Sequence, residues 1–494
     1  MPILRPGDTC WRTAAATRAA VLMDNEAYFA AVAAALATAR HSVLLLGWGF
    51  DPRTRLFPDG FDADDDPDEV GRILVERACA LPGLDVRLLV WKSALPIAAS
   101  QEFFPHKARR YFEDTPVKFR LDADVPFGGC HHQKVLVIDD AIAFCGSGDL
   151  VVDRWDTPGH LDVDPRRIMP RLNFHPPRHE VMAMVDGEAA RALGDLVRAR
   201  WLRATGESVA PPPRREPAPG DDPWPAGVEV HLHDAEVGIA CTAPAWRGEA
   251  GAQEILRLTL ECIQRAERTI YLENQYFASP IVTEALARRL AEPNGPQVVL
   301  VTTGVAPSWF DRMTMDRARA MMIWRLRAAD VYGRFRAWWP VTSSGVAIIV
   351  HSKVTIIDDC VIRISSANLN NRSGGFDTEA ELCVEARDPA AQAQAARLRN
   401  TLIGHFLGCT PEDLGEMTAA CGGLIEGIDA LNRAGRLQPL KPKPLTAIGE
   451  LIAAYHLGDP AGVGDSWRPS HRRDILRRAA RDPAHAAAWD DPRV

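Results

Sequence analysis

The sequence lacks the segments that would place it across a membrane or in an oxidising compartment. Its longest apolar runs, such as Val43–Leu46 and Val346–Val350, are far shorter than the roughly 20 residues of a membrane-spanning helix. The ten cysteines form no Cys-x-x-Cys pair, so neither a zinc site nor a disulfide framework is predicted. The start of the chain lacks the basic segment and apolar stretch of a signal peptide. We expect a cytoplasmic protein that is at most peripheral at a membrane, and secretion by a route without a signal stays open.

Positive charge is scarce as well. The formal net charge is -8 and the chain has only seven lysines, so no overall basic field would draw it onto nucleic acid. We therefore expect no nucleic-acid partner. At 494 residues, with 47% hydrophobic and 25% charged residues, the chain has the composition of a globular protein and is long enough for two lobes.

The order of predicted elements indicates an internal duplication. The Pro-rich residues 205–226 favour neither a helix nor a strand, and on each side of them an amphipathic helix runs directly into an apolar strand. In the first half these elements are Ala34–Ala39 and a strand from Ser42. In the second half they are Leu260–Glu267 and Thr269–Glu273.

Each half then continues in the same way. A β-rich run, Gln133–Ile138 or Ser352–Ile357, is followed by an Asp-Asp turn, a short strand and a closing helix, Glu188–Leu202 or Pro389–Phe406. Alternating strands and helices predict an α/β protein of two duplicated α/β/α sandwich lobes with mixed sheets. The boundaries that we predict are an N-terminal lobe at 1–204, a linker at 205–226, a C-terminal lobe at 227–409 and an extension of unassigned role at 410–494.

One motif occurs once in each half, in the frame His-x-Lys-x-x-x-x-Asp. Residues two apart on a strand share a face, so the His and Lys of each copy can point together towards a ligand. With so few lysines, this spacing should arise by chance for only about one His in a thousand, so two chance copies are implausible. The copies are His132, Lys134 and Asp139 in the first half, and His351, Lys353 and Asp358 in the second.

This pair of motifs resembles the phospholipase D superfamily, in which two copies meet across a pseudo-twofold axis to form one active site at the lobe interface. The resemblance covers most of residues 20–405. It extends to the segments Asp153–His160, Ile270–Phe277 and Ser365–Ser373, which look like parts of phospholipases D proper, including the eukaryotic-type enzymes.

The family resemblance implies a role for each motif residue. His132 is expected to attack phosphorus and become a phosphohistidine, and His351 to protonate the leaving alcohol and then activate the acceptor, although the two roles could be exchanged. Lys134 and Lys353 are expected to hold the phosphoryl oxygens. Two imidazoles and two ammonium groups supply nucleophile, acid and cations, so we predict no metal and no cofactor.

The resemblance also implies supporting residues. Glu180 and Glu379 fall where the family places the carboxylate behind each catalytic His, and the motif residues Asp139 and Asp358 are expected to orient the motif rather than carry protons. Further residues are expected to bind the substrate phosphate. These are Asn368 and Ser366 in the second half, and Asp149 and Ser147 in the first, where Asp149 replaces the more common Asn as in eukaryotic-type members.

A third segment invites two interpretations. Residues Asp311–Trp339 combine Met, Ile, Trp and Leu with many Arg, a composition typical of a helix that lies on anionic lipid or of one that packs on its own lobe. Both interpretations predict a helix over the whole segment.

The sequence thus predicts a phospholipase D-type enzyme that cleaves the headgroup phosphodiester of a phospholipid, with water or an alcohol as acceptor. We expect a monomer that meets its substrate at a membrane surface. Three alternatives stay open: a phosphatidyltransferase of the cardiolipin-synthase type, a nucleic-acid phosphodiesterase, and a non-catalytic lipid- or phosphate-binding protein. The headgroup, the acyl preference and the regulation cannot be predicted from these motifs.

Overall fold

A computed structural model describes residues 2–58, 68–93, 105–170, 173–214, 221–306, 308–441 and 458–462. In the first half the strands are β1 Arg12–Met23, β2 Ser42–Gly47, β3 Asp85–Trp91, β4 Lys118–Asp122, β5 Val135–Ile138, β6 Ile142–Gly146, β7 Ile168–Met169, β8 Asn173–Phe174, β9 Arg178–His179 and β10 Val181–Asp186. In the second half they are β11 Leu232–Ala243, β12 Ala252–Gln253, β13 Thr269–Asn274, β14 Gln297–Val301, β15 Phe335–Pro340, β16 Ile349–Val350, β17 Lys353–Ile357, β18 Val361–Ser365, β19 Glu379–Glu385 and β20 Leu437–Pro439.

Helices connect these strands in both halves. In the first half they are Asp24–Thr38, Val70–Ala80, Pro105–Tyr111 and Gly187–Thr205. In the second half they are Glu254–Arg265, Pro280–Ala291, Trp309–Ala329, Asn371–Gly375, Pro389–Leu407, Pro411–Cys421 and Leu424–Leu431. None of the helices in the described part of the chain is long and apolar enough to span a bilayer.

Most strands form one mixed sheet, and its order shows the duplication. From one edge to the centre the first half runs β4-β3-β2-β5-β6-β10-β1, and the second half runs β15-β14-β13-β17-β18-β19-β11. The parallel and antiparallel pairings of these two runs match position by position, with three parallel strands farthest from the centre and antiparallel pairs towards it. In the second half β20 adds one further antiparallel strand outside β15. The predicted α/β class with duplicated lobes is therefore confirmed.

Within the main sheet the two halves meet at one antiparallel pair, β1 and β11, and this pair makes the sheet continuous. A separate parallel pair, β9 and β16, also joins the two halves. Arg12 lies opposite Ile239 and Ala19 opposite Leu232, so the pairing extends along most of both strands. Because each half begins with its central strand, the later motifs of both halves are brought to the same region of the sheet.

Helices cover both faces of the sheet, which explains why strands such as β2, β5, β10 and β14 are apolar along most of their length. The helices Gly187–Thr205 and Pro389–Leu407 pack on one face, in a core that extends through both halves. On the other face each half has its own core, under Asp24–Thr38 and Val70–Ala80 in the first half. In the second half the helices Glu254–Arg265 and Pro280–Ala291 cover that face.

The motif aspartates lie in this framework rather than in the site. Asp139 and Asp140 both have positive φ, and Asp358 and Asp359 repeat that geometry, as a tight two-residue hairpin turn requires. The Asp139 carboxylate accepts hydrogen bonds from the backbone N–H groups of residues 40, 41 and 42 at 2.7–2.8 Å. Asp358 accepts the corresponding three from residues 267, 268 and 269 at 2.7 Å. Each aspartate therefore joins its hairpin to the link between the preceding helix and strand.

The helix predicted over Asp311–Trp339 is wrong in its last third. The helix ends at Ala329, and Phe335–Pro340 forms β15 beside β14, where alternating large apolar residues fit a half-buried strand. The predicted linker has neither helix nor strand in its described residues 206–214 and 221–226. In the predicted extension, Pro411–Cys421, Leu424–Leu431 and β20 pack on the second half, while residues 442–457 and 463–494 lie outside the described residues.

We expect Asp139→Ala to lower the free energy of unfolding more than Asp358→Ala does. Asp139 is 3% exposed, so its loss would leave the buried N–H of Ser42 and the partly buried N–H groups of residues 40 and 41 without their acceptor, at a cost of about 2–3 kcal/mol. Asp358 is half-buried, and water can replace its carboxylate, so a loss of about 1 kcal/mol is expected. Urea denaturation of both variants measures the difference, with Asp139→Asn as an intermediate because its amide keeps one acceptor. Equal losses for the two alanine variants would contradict this account.

Candidate active site

The His of the first motif takes its carboxylate partner from the other half of the chain. His132 lies in the segment just before β5, and its Nδ1 is 2.9 Å from Glu379 Oε2 at the start of β19. Glu379 is fully buried, and its two oxygens also accept hydrogen bonds from the hydroxyls of Ser366 at 2.5 Å and Ser373 at 2.6 Å. The carboxylate is thus fixed, and it leaves Nε2 of His132 available to a ligand.

The second His repeats this arrangement in the opposite sense. His351 Nδ1 lies 2.9 Å from Oε1 of Glu180, which precedes β10 in the first half. The same Oε1 accepts a hydrogen bond from Arg154 at 2.8 Å, and Oε2 accepts one from Asn25 at 3.0 Å. The His351 contact has an ion-pair distance but not the alignment of a good hydrogen bond. Glu180 therefore interacts less exclusively with its histidine than Glu379 does.

Backbone contacts hold the two crossed pairs together. The His132 N–H donates to the carbonyl of Thr378, next to Glu379, at 3.0 Å. The His351 N–H donates to the carbonyl of His179, next to Glu180, at 2.8 Å. These hydrogen bonds hold each motif against the segment that supplies its carboxylate. Both motifs therefore contribute to one site.

Both motif lysines are buried at 2% exposure, and each is held by a polar side chain. Lys134 Nζ lies 3.0 Å from Asp149 Oδ2. Lys353 Nζ donates to Oε1 of Gln275 at 3.1 Å and to the carbonyl of His351 at 2.6 Å. Burial, together with the charge of Lys134, holds the pKa of Lys353 well below its usual range. An anion between the two lysines would relieve this cost.

Burial also shifts the pKa values of the two motif histidines. It lowers the pKa of His132 well below the usual range, and the charges of Lys134 and Lys353 lower it further. Burial, Lys353 and Arg154 do the same for His351. Burial raises the pKa of Glu379 to about 7 against the opposing hydrogen bonds from its serines. Without a ligand the site thus favours neutral imidazoles and exposes a nucleophilic nitrogen at neutral pH.

The four residues predicted to bind phosphate differ in the partners that their side chains already have. Asp149 accepts a hydrogen bond from the backbone N–H of Trp48 and pairs with Lys134, so its carboxylate holds the lysine, whereas it would repel a phosphate. The fully buried Ser147 donates to the carbonyl of Val181 and Ser366 donates to Glu379, so neither hydroxyl proton is free for phosphate in this geometry. Asn368 keeps its side-chain carbonyl without a partner in the described part of the chain. A direct phosphate contact by these four residues stays a prediction.

Several residues that position the site were not predicted from the sequence. Gln275 holds Lys353 as Asp149 holds Lys134, and Arg154 and Asn25 fix Glu180. The signal for Gln275 and Arg154 was that both lie in segments already similar to phospholipases D. No spacing rule would have indicated Asn25, which reaches Glu180 from the first turn of a distant helix.

Comparison with known proteins gives one family match in each half of the chain. A family model described as phospholipase D matches residues 35–213, and one described as cardiolipin synthase, PLD-like domain, matches residues 259–402. Each match contains one of the two motifs. The chain belongs to the phospholipase D superfamily. The family predicted from the motifs is therefore confirmed.

Individual relatives are distant. Phospholipase D A of Dictyostelium discoideum is 24% identical over 431 residues, covering 74% of this chain and 32% of the relative. Phospholipase D alpha 1 of Vigna unguiculata is 22% identical, covering 77% of this chain and 63% of the relative. The chain spans about a third of the length of the first of these. The crystal structure of phosphatidylserine synthase from Haemophilus influenzae Rd KW20 matches 96% of both chains, with a TM-score of 0.54 and 12% identity, which shows the fold alone.

We expect Glu379→Gln to reduce turnover of a chromogenic phosphodiester by about 10²–10⁴-fold with little change in KM, because an amide can no longer stabilise the correct tautomer and the imidazolium of His132. Glu180→Gln should cost less, since Arg154 already neutralises part of that charge. The control is Glu385→Gln, at the far end of the same strand, which should keep full activity. A larger loss from Glu180→Gln would contradict the unequal pairing.

Proposed function

We propose that this protein is a phospholipase D-type enzyme that cleaves the headgroup phosphodiester of phospholipids and passes the phosphatidyl group to water or to an alcohol. The observation that supports the proposal most strongly is the pair of reciprocal His–Glu contacts, His132 with Glu379 and His351 with Glu180. Two buried lysines beside two oriented imidazoles provide a receptor for a single anionic phosphodiester.

The reaction would run in two displacements. Nε2 of His132 attacks phosphorus while the bond to the headgroup oxygen breaks, and His351 gives its proton to the departing alcohol. His351 then removes a proton from water or an acceptor alcohol, whose oxygen attacks the phosphohistidine and releases His132. Lys134 and Lys353 balance the charge on the phosphoryl oxygens throughout.

The unequal carboxylate contacts favour His132 as the nucleophile. Its Nδ1 has an aligned hydrogen bond to Glu379, whose charge would stabilise the cationic phosphohistidine. Glu180 shares its charge with Arg154, which suits an acid that must release its proton. His351 needs a proton for the first step, and the negative charge of a bound phosphodiester would raise its pKa towards neutrality.

A synthase-type reaction is the second candidate, supported by the description of the family model over residues 259–402. It would use the same intermediate and differ only in the acceptor, a lipid or polar alcohol in place of water. Nucleic acid as substrate is disfavoured by the net charge of -8. A monomeric enzyme at the membrane surface, without a metal at phosphorus, completes the proposal.

The test is turnover of phosphatidylcholine vesicles in dilute ethanol with EDTA present during a short assay. Wild type should release choline and form phosphatidylethanol, and His132→Ala and His351→Ala should each lower both products by at least about 10³-fold. His233→Ala, an exposed histidine on β11, serves as the control and should be fully active.

Acid-free quenching followed by peptide mass spectrometry then locates the covalent adduct, which we expect on His132. An adduct on His351 would exchange the two roles. Loss of activity in only one alanine variant would contradict a shared site. No turnover of phosphatidylcholine, phosphatidylethanolamine or phosphatidylglycerol would contradict the lipid substrate and make nucleic acid the next one to test.

A further inference from the structure

A second group of polar side chains, of which all but the half-buried His405 are buried, lies directly behind the His351–Glu180 pair. Asp24, His160, His179 and His405 place one ligand-type atom each within 4.8 Å of one another. Asp24 begins the first helix, His160 lies in the loop after β6, and His405 lies in the closing helix Pro389–Leu407 of the second half. The group therefore joins distant parts of both halves.

Several atoms of this group lack hydrogen-bond partners. Among the described residues, Oδ2 of Asp24 and Nε2 of His160 are buried without a well-formed hydrogen bond. The ring of His405 has no well-formed hydrogen bond among them either, and makes polar contacts with the backbone of Thr401 and Leu402 one helical turn earlier. Asp24 and His160 are each only 1% exposed. A buried polar group without a hydrogen-bond partner lowers the free energy of unfolding by about 1–3 kcal/mol, and native proteins contain few such groups. The approach of one such atom from each of Asp24, His160 and His405 to within 4.8 Å of the others indicates a bound species that these atoms share.

The geometry fits a metal ion. Asp24 Oδ2 lies 3.6 Å from His160 Nε2, too far for a hydrogen bond. Two ligands of one tetrahedral ion, with bonds of about 2.0–2.1 Å, lie roughly 3.3–3.4 Å apart. A small inward movement would therefore bring this pair to ligand spacing.

The surrounding contacts orient the group as in known metal sites. His160 Nδ1 lies 3.0 Å from Asp156 Oδ2, a contact that leaves the Nε2 lone pair free to bind. Oδ1 of Asp24 contacts His179 Nδ1 at 2.8 Å, and Nε2 of His179 contacts Glu273 at 3.0 Å. Because both of its nitrogens are engaged, His179 orients Asp24 and is not itself a ligand.

We propose that Asp24, His160 and His405 bind one divalent transition-metal ion, with water completing the coordination. One carboxylate and two imidazoles suit Zn²⁺ better than Mg²⁺ or Ca²⁺, which prefer oxygen ligands. The site is separate from the phosphoryl chemistry, for which no metal is proposed.

The ion would stabilise the structure behind the active site. Oδ1 of Asp24 accepts the backbone N–H of Glu180 at 3.2 Å, and the His179 carbonyl accepts the N–H of His351 at 2.8 Å. Fixing Asp24 therefore fixes the carboxylate and the backbone of the second catalytic pair. It also ties the closing helix of the second half to the first half.

The test is metal analysis of the full chain, purified without a histidine tag and dialysed after exposure to Zn²⁺. We expect about one Zn²⁺ per chain in wild type and less than about a tenth of that in His405→Gln. His175→Gln is the matched control, since His175 is also buried with an unpartnered Nε2 but lies outside the group, and it should keep its metal. Replacement by Co²⁺ should give visible absorption bands that are typical of tetrahedral coordination.

Two results would overturn the proposal. One is folded wild type that holds neither Zn²⁺ nor Co²⁺, which would leave a buried water as the shared partner. The other is His405→Gln that retains the metal. If His405→Gln does not fold, the Co²⁺ spectrum of wild type decides alone. Since none of these measurements uses a substrate, they stand or fall independently of the proposed enzyme activity.

Discussion

The antiparallel pairing of β1 with β11 is the constraint on which the rest of the structure depends. It makes two repeats into one sheet and places them head to head, so that each motif faces the other repeat. Neither repeat has a complete site, because His132 needs Glu379 and His351 needs Glu180. The duplication therefore produces one site with two similar but unequal halves.

The site gathers charge where burial makes it costly. Lys134, Lys353 and Arg154 lie beside Asp149, Glu180 and Glu379, and all six are buried. Opposite charges offset much of the desolvation penalty, yet the histidines and Lys353 remain shifted towards their neutral forms. A bound phosphodiester would supply the missing negative charge, so the proposed substrate would itself complete the electrostatic balance. This is the physical reason why the arrangement suits a phosphoryl substrate.

Much of the fold could be predicted because it depends on local pattern. The apolar runs after Ser42 and Thr269 and the closing helices form nearly as predicted, since their periodicity reports burial directly. The Asp311–Trp339 helix was wrong at its end, because an apolar, Arg-rich run fits either a helix or a strand and the neighbouring β14 decides. The motif spacing likewise identified the four catalytic candidates, whose chemistry stays a prediction.

Contacts across the two halves could not be predicted in the same way. The sequence offered Glu180 and Glu379 as carboxylate partners, but which histidine each would meet depends on how the repeats face one another. The contacts of Gln275, Arg154 and Asn25 have the same origin. The group of Asp24, His160 and His405 has no motif at all, because its members lie far apart in the chain.

The measurement that tests the crossed arrangement most directly is the proton NMR signal of the hydrogen-bonded Nδ1–H of His132, assigned by its loss in His132→Ala. We expect a strongly downfield signal that disappears in Glu379→Gln and persists in Glu180→Gln. A signal that persists in Glu379→Gln and disappears in Glu180→Gln would contradict the pairing of His132 with the other half of the chain, and with it the single shared site.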